Sequence, residues 1–185
     1  MNDDLVAALG PAFTRHACPH LAVLLRRLDE LPAMLASFYA LGVRREAWIV
    51  HHCLPGATGS ERTGMTAEGL PVAELEAKER MIIHELDPAE QPPETAARFE
   101  RALEDALGRG LSALWYSRFP IGPGAELFAA ATAHDANWDK HFRGRPVVTL
   151  CPYVVGDGRQ ATLEGFHDAI AVQSETGGFE LSEPR

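Results

Sequence analysis

Short apolar runs alternate along the chain with segments whose apolar residues recur every three or four positions. The runs have the length and composition of buried strands. They are residues 20–26, 47–53, 81–86, 111–119 and 145–155. The periodic segments predict helices at residues 29–42, 72–77, 94–107, 125–142 and 163–170. This alternation is typical of a three-layer α/β fold, with helices on both faces of a mainly parallel sheet of five or six strands.

The chain length and composition favour a single domain. Its 185 residues are 46% hydrophobic and 23% charged, which is ordinary for a globular domain that buries its own core. No internal repeat or low-complexity tract divides the sequence. We expect a flexible lead-in at residues 1–14 and one domain over residues 15–185. The glycine-rich segments 56–64 and 120–124 are predicted to be mobile loops.

Charge and cysteine content restrict the classes of function. A net charge of −9 and a pI near 5.3 argue against direct binding to nucleic acid, because the chain has no excess of cations. No apolar run is long enough to span a membrane, and the acidic start is unlike a signal peptide. Three cysteines do not form a disulfide framework. We therefore expect a cytoplasmic protein.

The candidate ligand-binding residues cluster near the ends of predicted strands and on the helix before the last of them. Open α/β sheets usually place their sites at strand ends, and an aromatic-lined pocket with a few polar groups suits a small, mostly apolar ligand. The candidates are His20, His51, Cys53, Trp115, Arg118, His134, Trp138, Cys151 and Tyr153. Each also has a structural interpretation, as a core aromatic residue or as a polar residue where a strand leaves the core.

A metal site is an alternative prediction, because His16, Cys18 and His20 occupy alternate positions. In an extended segment their side chains share one face, roughly 6.5–7 Å apart. Zinc ligands lie about 2.0–2.3 Å from the ion, so the segment would have to bend, and Pro19 could supply the bend. The competing interpretation is a small buried cysteine flanked by surface or capping histidines.

An enzyme dependent on a cysteine or on a nucleotide is the third hypothesis, and the sequence disfavours it. The nucleophile-elbow, His-Glu-x-x-His and dinucleotide-binding motifs are absent. Pro152 removes the backbone N–H that would best stabilise an oxyanion at Cys151. Residues 59–66 imitate a phosphate loop, but Met65 stands in place of its lysine. We therefore interpret that segment as a surface loop and expect no nucleotide.

The order of the predicted elements and several motifs resemble the sensory domain of methanogens and methylotrophs, the DcmR-type MEDS family. One motif is a helix with the pattern Glu-Leu-x-x-x-Leu-x-x-Phe-x-x-x-Gly, and another is a late strand with the pattern Pro-Val-x-x-Leu-Cys-x-Tyr that follows an acidic helix. The matching residues are Glu30, Leu31, Leu35, Phe38, Gly42, Asp135, Pro146, Val147, Leu150, Cys151 and Tyr153. The resemblance extends over about residues 16–175.

The resemblance implies a degenerate RecA-like fold in which the first strand lies beside the strand of Cys151. Cys151 would then join His16, Cys18 and His20 in the metal hypothesis. The signature histidine of the family aligns with His20, although His16-Ala-Cys18 spells its motif literally, and Trp115 stands where an arginine is usual. The implied function is a sensor that binds a small organic molecule at the carboxyl ends of its strands. The expected partner is a separate regulatory protein, a kinase or a second copy of the chain.

Overall fold

The computed structural model describes residues 3–85, 92–122, 124–154 and 160–182. The strands are β1 (His20–Leu25), β2 (Trp48–Cys53), β3 (Met81–Glu85), β4 (Leu114–Arg118), β5 (Val147–Val154), β6 (Ala169–Gln173) and β7 (Phe179–Ser182). The helices are α1 (Asp3–Arg15), α2 (Leu31–Arg44), α3 (Thr58–Ala67), α4 (Val72–Ala77), α5 (Pro92–Gly108), α6 (Ala125–Phe142) and α7 (Gln160–Leu163). None of these helices is long and apolar enough to cross a membrane.

The strands form one sheet in the order β3-β2-β4-β5-β1-β6-β7. Every neighbouring pair is parallel except β6 and β7. The predicted α/β class and mainly parallel sheet are therefore confirmed, and β1 does lie beside β5, with His20 opposite Thr149 and Ala22 opposite Cys151. The sheet has seven strands because the segment predicted as a last helix, residues 163–170, ends in β6, and β7 follows it.

One face of the sheet packs against α1, α2, α3 and α4. The alternate residues Leu21, Val23 and Leu25 of β1 point to this side and join its apolar core. Helix α2 lies directly on the sheet, since a Cβ atom added to Gly42 would be only 2.8 Å from Ile49 and Trp115. Glycine at this position allows the close approach.

The opposite face packs against α5, α6 and α7. Its core contains the intervening residues of the same strands, including Ala22 and Leu24 of β1 and Cys151 and Tyr153 of β5. Because side chains alternate between the two faces of a strand, residues two apart on β1 and β5 share this side. The candidate site is built here, between the sheet and α6.

Two further segments differ from their predicted form. Residues 3–15 are helix α1 rather than a flexible lead-in, with Leu5 and Leu9 completely buried one turn apart. Most of the predicted loop at 56–64 belongs to α3, in which Met65 is buried. The phosphate-loop-like residues are thus helical. Residues 86–91 and 123, parts of predicted connections, lie outside the described residues.

Candidate metal centre

Four buried side chains on the α6 side of the sheet bring their ligand atoms within 4.8 Å of one another. They are His20, Asp135, Cys151 and His167, which we call the buried cluster. None of the four residues is more than 6% exposed. Two imidazoles, a thiol and a carboxylate are all side chains that ligate transition metals.

The pairing of β1 with β5 positions two members of the cluster. His20 begins β1, and the register places Cys151 opposite the residue two positions further along that strand. The two side chains therefore lie on the same face. The Sγ atom of Cys151 is 3.4 Å from Nε2 of His20. Cys151 lies inside β5, not at the strand end where the sequence analysis expected it.

Helix α6 carries Asp135 over the sheet. Its buried residues Ala131, Asp135, Trp138 and Phe142 recur at three and four and therefore form one face of the helix. Trp138 Nε1 donates a hydrogen bond of 2.8 Å to Thr149 Oγ1, which fixes the helix against β5. This hydrogen bond fixes the position of α6 and its rotation about the helix axis, and so determines where Asp135 meets β1 and β5.

His167 stands in the turn before β6 and presents a free lone pair to the cluster. Its Nδ1–H donates to the backbone carbonyl of Leu163 at 2.9 Å, so in the neutral ring Nε2 is unprotonated. Burial, together with the neighbouring His20, lowers the pKa of His167 to about 3 and keeps the ring neutral. Nε2 has no hydrogen-bond partner and lies 3.7 Å from Oδ2 of Asp135. A lone pair that faces a carboxylate is unfavourable unless a cation lies between them.

Asp135 is held as a carboxylate by its neighbours. Burial opposes its ionisation, but the Arg118 guanidinium, together with the neighbouring His134 and the two histidines of the buried cluster, more than offsets that effect and keeps the pKa of Asp135 below its usual range. Nη2 of Arg118 lies 2.9 Å and 2.8 Å from the two carboxylate oxygens. The Tyr153 hydroxyl also donates to Oδ2. The carboxylate is therefore charged and fixed in orientation before any ligand arrives.

Cys151 is a neutral thiol in the free protein, because burial and the nearby Asp135 raise its pKa well above the usual value. Nδ1 of His20 lies 3.6 Å from Oδ1 of Asp139 and faces it. A proton on Nδ1 leaves the lone pair on Nε2, and the thiol of Cys151 can donate to it. Replacing this thiol proton by a metal ion would use the same two atoms.

The spacing of the ligand atoms suits a tetrahedral ion. Bonds of about 2.0–2.3 Å in tetrahedral geometry separate ligand atoms by roughly 3.3–3.8 Å. The thiol–imidazole separation of 3.4 Å and the imidazole–carboxylate separation of 3.7 Å fall within this range. The remaining separations among the four ligand atoms are no longer than 4.8 Å.

A surface pocket of about 400 Å³ reaches the cluster from the amino ends of the strands. We call it the amino-edge pocket. Its lining residues are His16, Ala17, Cys18, His20, Trp138, Asp139, Phe142, Arg143, Gly144, Arg145, Pro146, Val147, Thr149 and Asp168. The sequence predicts a site at the carboxyl ends of the strands, which is the opposite edge of the sheet.

The structure brings together only some of the predicted site residues. His20, Arg118, Cys151 and Tyr153 lie in or against the buried cluster. His134 contacts Asp135, and Trp138 anchors α6. His16 and Cys18 line the amino-edge pocket, but they do not join the His20 and Cys151 ligand atoms as the metal hypothesis required.

Three predicted residues lie on the other face of the sheet. Trp115 stacks against Phe13, with ring centroids 5.3 Å apart, in the core beneath α2. His51 meets the Tyr39 hydroxyl at 3.0 Å, and Cys53 is buried near the start of α3. The sheet separates these side chains from the buried cluster.

Sequence reasoning did not select Asp135 and His167 as site residues. Asp135 had a signal, since it matches the acidic helix of the family resemblance, but it forms no catalytic pair with His134, because neighbouring helix positions do not face each other. His167 carried no motif signal, because a lone histidine in a predicted helix is usually a solvated or capping residue. Its role depends on the turn before β6, which places it beside residues from distant parts of the chain.

Comparisons with known proteins bear on the fold. No family model matches the sequence, and no curated protein matches it. Among solved structures, the chain is similar to a KaiC-like protein from the hyperthermophilic archaeon Pyrococcus horikoshii OT3, with a TM-score of 0.65 and 10% identity. The match covers 90% of this chain and 79% of that chain. The protein therefore has the RecA-like α/β fold that the resemblance implied, and an identity this low carries no activity with it.

Proposed function

We propose that this protein is a metal-responsive sensory domain whose buried cluster binds one divalent transition-metal ion of the zinc class. The observation that carries the proposal is His167 Nε2, a buried lone pair that has no partner and faces a carboxylate. In metal sites, the second ring nitrogen of a histidine ligand usually donates to a carbonyl or carboxylate. Nδ1 of His167 makes such a bond with Leu163.

The donor set favours one class of metal. Imidazole and thiolate ligands select zinc and neighbouring transition metals, whereas magnesium and calcium prefer oxygen ligands alone. Binding would replace the thiol proton of Cys151, because a metal-bound cysteine is a thiolate. Cys151 and Asp135 would then supply two negative charges to the ion, while Arg118 stays in contact with Asp135.

The response would be an ordering of the elements that meet at the cluster. The four ligands come from β1, α6, β5 and the turn before β6, so one ion would join segments that are far apart in sequence. An ion that binds the ordered arrangement more tightly than a looser one shifts the population towards the ordered form. A regulatory protein, a kinase or a second copy of the chain that distinguishes these forms would receive the signal.

Cobalt binding tests the proposal directly. Tag-free protein stripped with a chelator is titrated with Co²⁺, and the expected result is one ion per chain with a thiolate-to-cobalt absorption band. Cys151→Ser removes the band, and His167→Gln weakens binding at least tenfold. Cys18→Ser and Cys53→Ser are matched controls that retain the band. Less than a tenth of an equivalent of bound Zn²⁺ or Co²⁺ at saturation would refute the proposal.

A small organic molecule in the amino-edge pocket is the second candidate. Its size of about 400 Å³ and the aromatic side chains Trp138 and Phe142 in its wall favour this function. Calorimetric titration with small organic molecules in the presence and absence of zinc separates the two candidates. Binding that does not depend on metal and is lost in Phe142→Ala would support the organic ligand.

A cysteine-dependent enzyme receives less support from the site. The thiol of Cys151 contacts His20, and His20 in turn contacts Asp139. A nucleophile, its base and the acid that orients the base are arranged in this order. However, the thiol is fully buried and its pKa is raised, so it is a poor nucleophile. Slow alkylation of Cys151 by iodoacetamide at neutral pH is the expected result.

A further inference from the structure

Two pockets at the amino edge of the sheet each reach one histidine of the buried cluster. The amino-edge pocket contacts His20. A second pocket of about 310 Å³ contacts His167. Both are lined by His16, Arg143 and Asp168, so these three residues form the partition between them.

Arg143 holds the partition together. Its Nη2 lies 2.9 Å from Oδ1 of Asp139, and its Nη1 lies 3.5 Å from Oδ1 of Asp168. The second oxygen of Asp168 accepts a hydrogen bond of 2.8 Å from the backbone N–H of His20. We call these contacts the Arg143 bridge. It connects the end of α6 with the starts of β1 and β6.

In the described part of the chain, apolar packing covers the other sides of the buried cluster. Towards the carboxyl ends of the strands, apolar residues fill the space between the sheet and its covering helices, among them Leu24, Ile121 and Leu163. Asp135 and Cys151 are at most 1% exposed, and neither lines the two pockets. Among the described residues, the path from solvent to the ligand atoms thus runs past the two histidines, on either side of the Arg143 bridge.

We propose that the metal ion enters and leaves through this amino edge, and that the Arg143 bridge is a gate that sets the rate of exchange. The inference rests on the proposed metal site and adds the route to it and the residue that controls the route. With the bridge closed, the two pockets are separate and the carboxylates of Asp139 and Asp168 are both paired with Arg143. With the bridge open, the pockets join, and both carboxylates are free to attract a cation beside His20 and His167.

The exposure of Arg143 allows it to act as a gate. Its side chain is 59% exposed, whereas those of Asp139 and Asp168 are 16% and 14% exposed, so solvent competes for the ion pairs from the arginine side. Rotamer changes of exposed side chains occur within picoseconds to nanoseconds, far faster than ion exchange at a buried site. The bridge therefore opens and closes many times before an ion exchanges, and the exchange rates scale with the fraction of time that it is open. Removing it should raise both rates while leaving the ligand atoms intact.

Stopped-flow measurement of Co²⁺ binding, and of its release to a chelator, tests the gate. In Arg143→Ala both rates should rise about two- to fivefold, within the range expected when weak ion pairs are lost. The equilibrium dissociation constant should change less than twofold. Arg143→Lys keeps the charge but cannot span both carboxylates in the same way, and it should also accelerate exchange.

Arg145→Ala is the matched control, because Arg145 lines the same pocket but pairs with Glu100 on α5. It should leave both rates within about twofold of the wild type. Equal acceleration in Arg143→Ala and Arg145→Ala, with none in Arg143→Lys, would show a general effect of charge and overturn the gate.

The two proposals fail in different ways. Unchanged rates in both Arg143 variants, with one ion still bound at equilibrium, would overturn the gate and leave the metal site standing. Absence of binding by the wild-type protein at equilibrium would overturn the proposed function and the gate with it. Thermal unfolding of each variant shows whether a rate change reflects damage to the fold.

Discussion

At the scale of single residues, a charged pair in the interior dominates the candidate site. Arg118 and Asp135 are both at least 95% buried and are in direct contact. Removing one partner of such a pair leaves the other charge buried without compensation. This lowers the free energy of unfolding more than replacing both partners by apolar residues would. Tyr153 lies against both groups and has its own pKa raised by burial and by Asp135.

Asp135→Asn should therefore destabilise the protein strongly. The expected loss is about 3–5 kcal/mol in the free energy of unfolding, because Arg118 stays buried and charged. Urea unfolding of the metal-free protein measures it. Asp105→Asn, which removes an exposed carboxylate paired with Arg109, is the control and should cost less than about 1 kcal/mol. Equal costs for the two variants would contradict the assigned role of the buried pair.

At the scale of elements, α6 decides which residues meet the sheet. The indole of Trp138 bonds to Thr149 and packs between Tyr116 and Phe142, with ring centroids 4.4 Å and 4.3 Å away. A helix fixed in this way has one rotation about its axis, and that rotation directs Asp135 and Asp139 towards the amino half of β1. The site depends on this packing as much as on its ligands.

Trp138→Phe should cost about 1–3 kcal/mol, because it leaves the Thr149 hydroxyl without its buried donor. Thr149→Val removes the other partner. Since the two changes delete one interaction, their costs should not add in the double variant. Chemical unfolding of the four proteins gives the coupling energy. A coupling energy near zero would mean that the bond does not fix α6.

The predictions for elements were accurate where local sequence determines structure and failed where packing decides. The apolar runs at β1, β2 and β5 and the periodic residues of α2 are strong local signals, and the structure has these elements. Residues 56–64 are rich in glycine, serine and threonine, which favour a loop, but burial of Met65 and contact of Gly64 with Pro32 hold α3 against α2. Neither contact is visible in the sequence.

At the scale of the whole molecule, three buried histidines make stability depend on pH. Burial lowers the pKa of His51, His52 and His167 to about 3 in each case. An unfolded chain protonates these rings near pH 6.5, while the folded protein does not. Between about pH 6.5 and 3 the unfolded state therefore binds more protons, and the stability of the folded state falls as the pH falls.

We expect each of these histidines to lower the free energy of unfolding by about 2 kcal/mol between pH 7 and pH 5. Replacing one of them should remove its share of the loss. His52→Gln is suitable because His52 lies outside the buried cluster. Urea unfolding at the two pH values measures the difference. The same loss in wild type and variant would show that His52 is protonated in the folded protein.

Metal binding should also be visible in the stability of the whole molecule. A ligand at one hundred times its dissociation constant adds about 2.7 kcal/mol if it binds only the folded state. For a chain of this length the melting temperature should rise by about 5–10 °C. Calorimetry of the stripped protein with Zn²⁺ tests this. Mg²⁺ should cause no comparable shift, and Zn²⁺ should cause none in the double variant Cys151→Ser/His167→Gln.

The sequence by itself determined the α/β class, because apolar runs of strand length and helical periodicity are properties of neighbouring residues. It also determined which side chains of one strand lie on the same face of the sheet, since side chains alternate wherever a strand forms. Candidates such as His20 and Cys151 followed from residue type and motif. These conclusions required no knowledge of which strands are neighbours.

Only the tertiary structure decided which of these residues form a site. His20 and Cys151 meet because β1 pairs with β5, and Asp135 joins them because Trp138 anchors α6 at one rotation. His167 reaches them from a turn near the other end of the chain. The same packing placed the open pockets at the amino edge and put His51 and Trp115 behind the sheet. Distances between residues far apart in sequence depend on packing among elements, which local pattern does not specify.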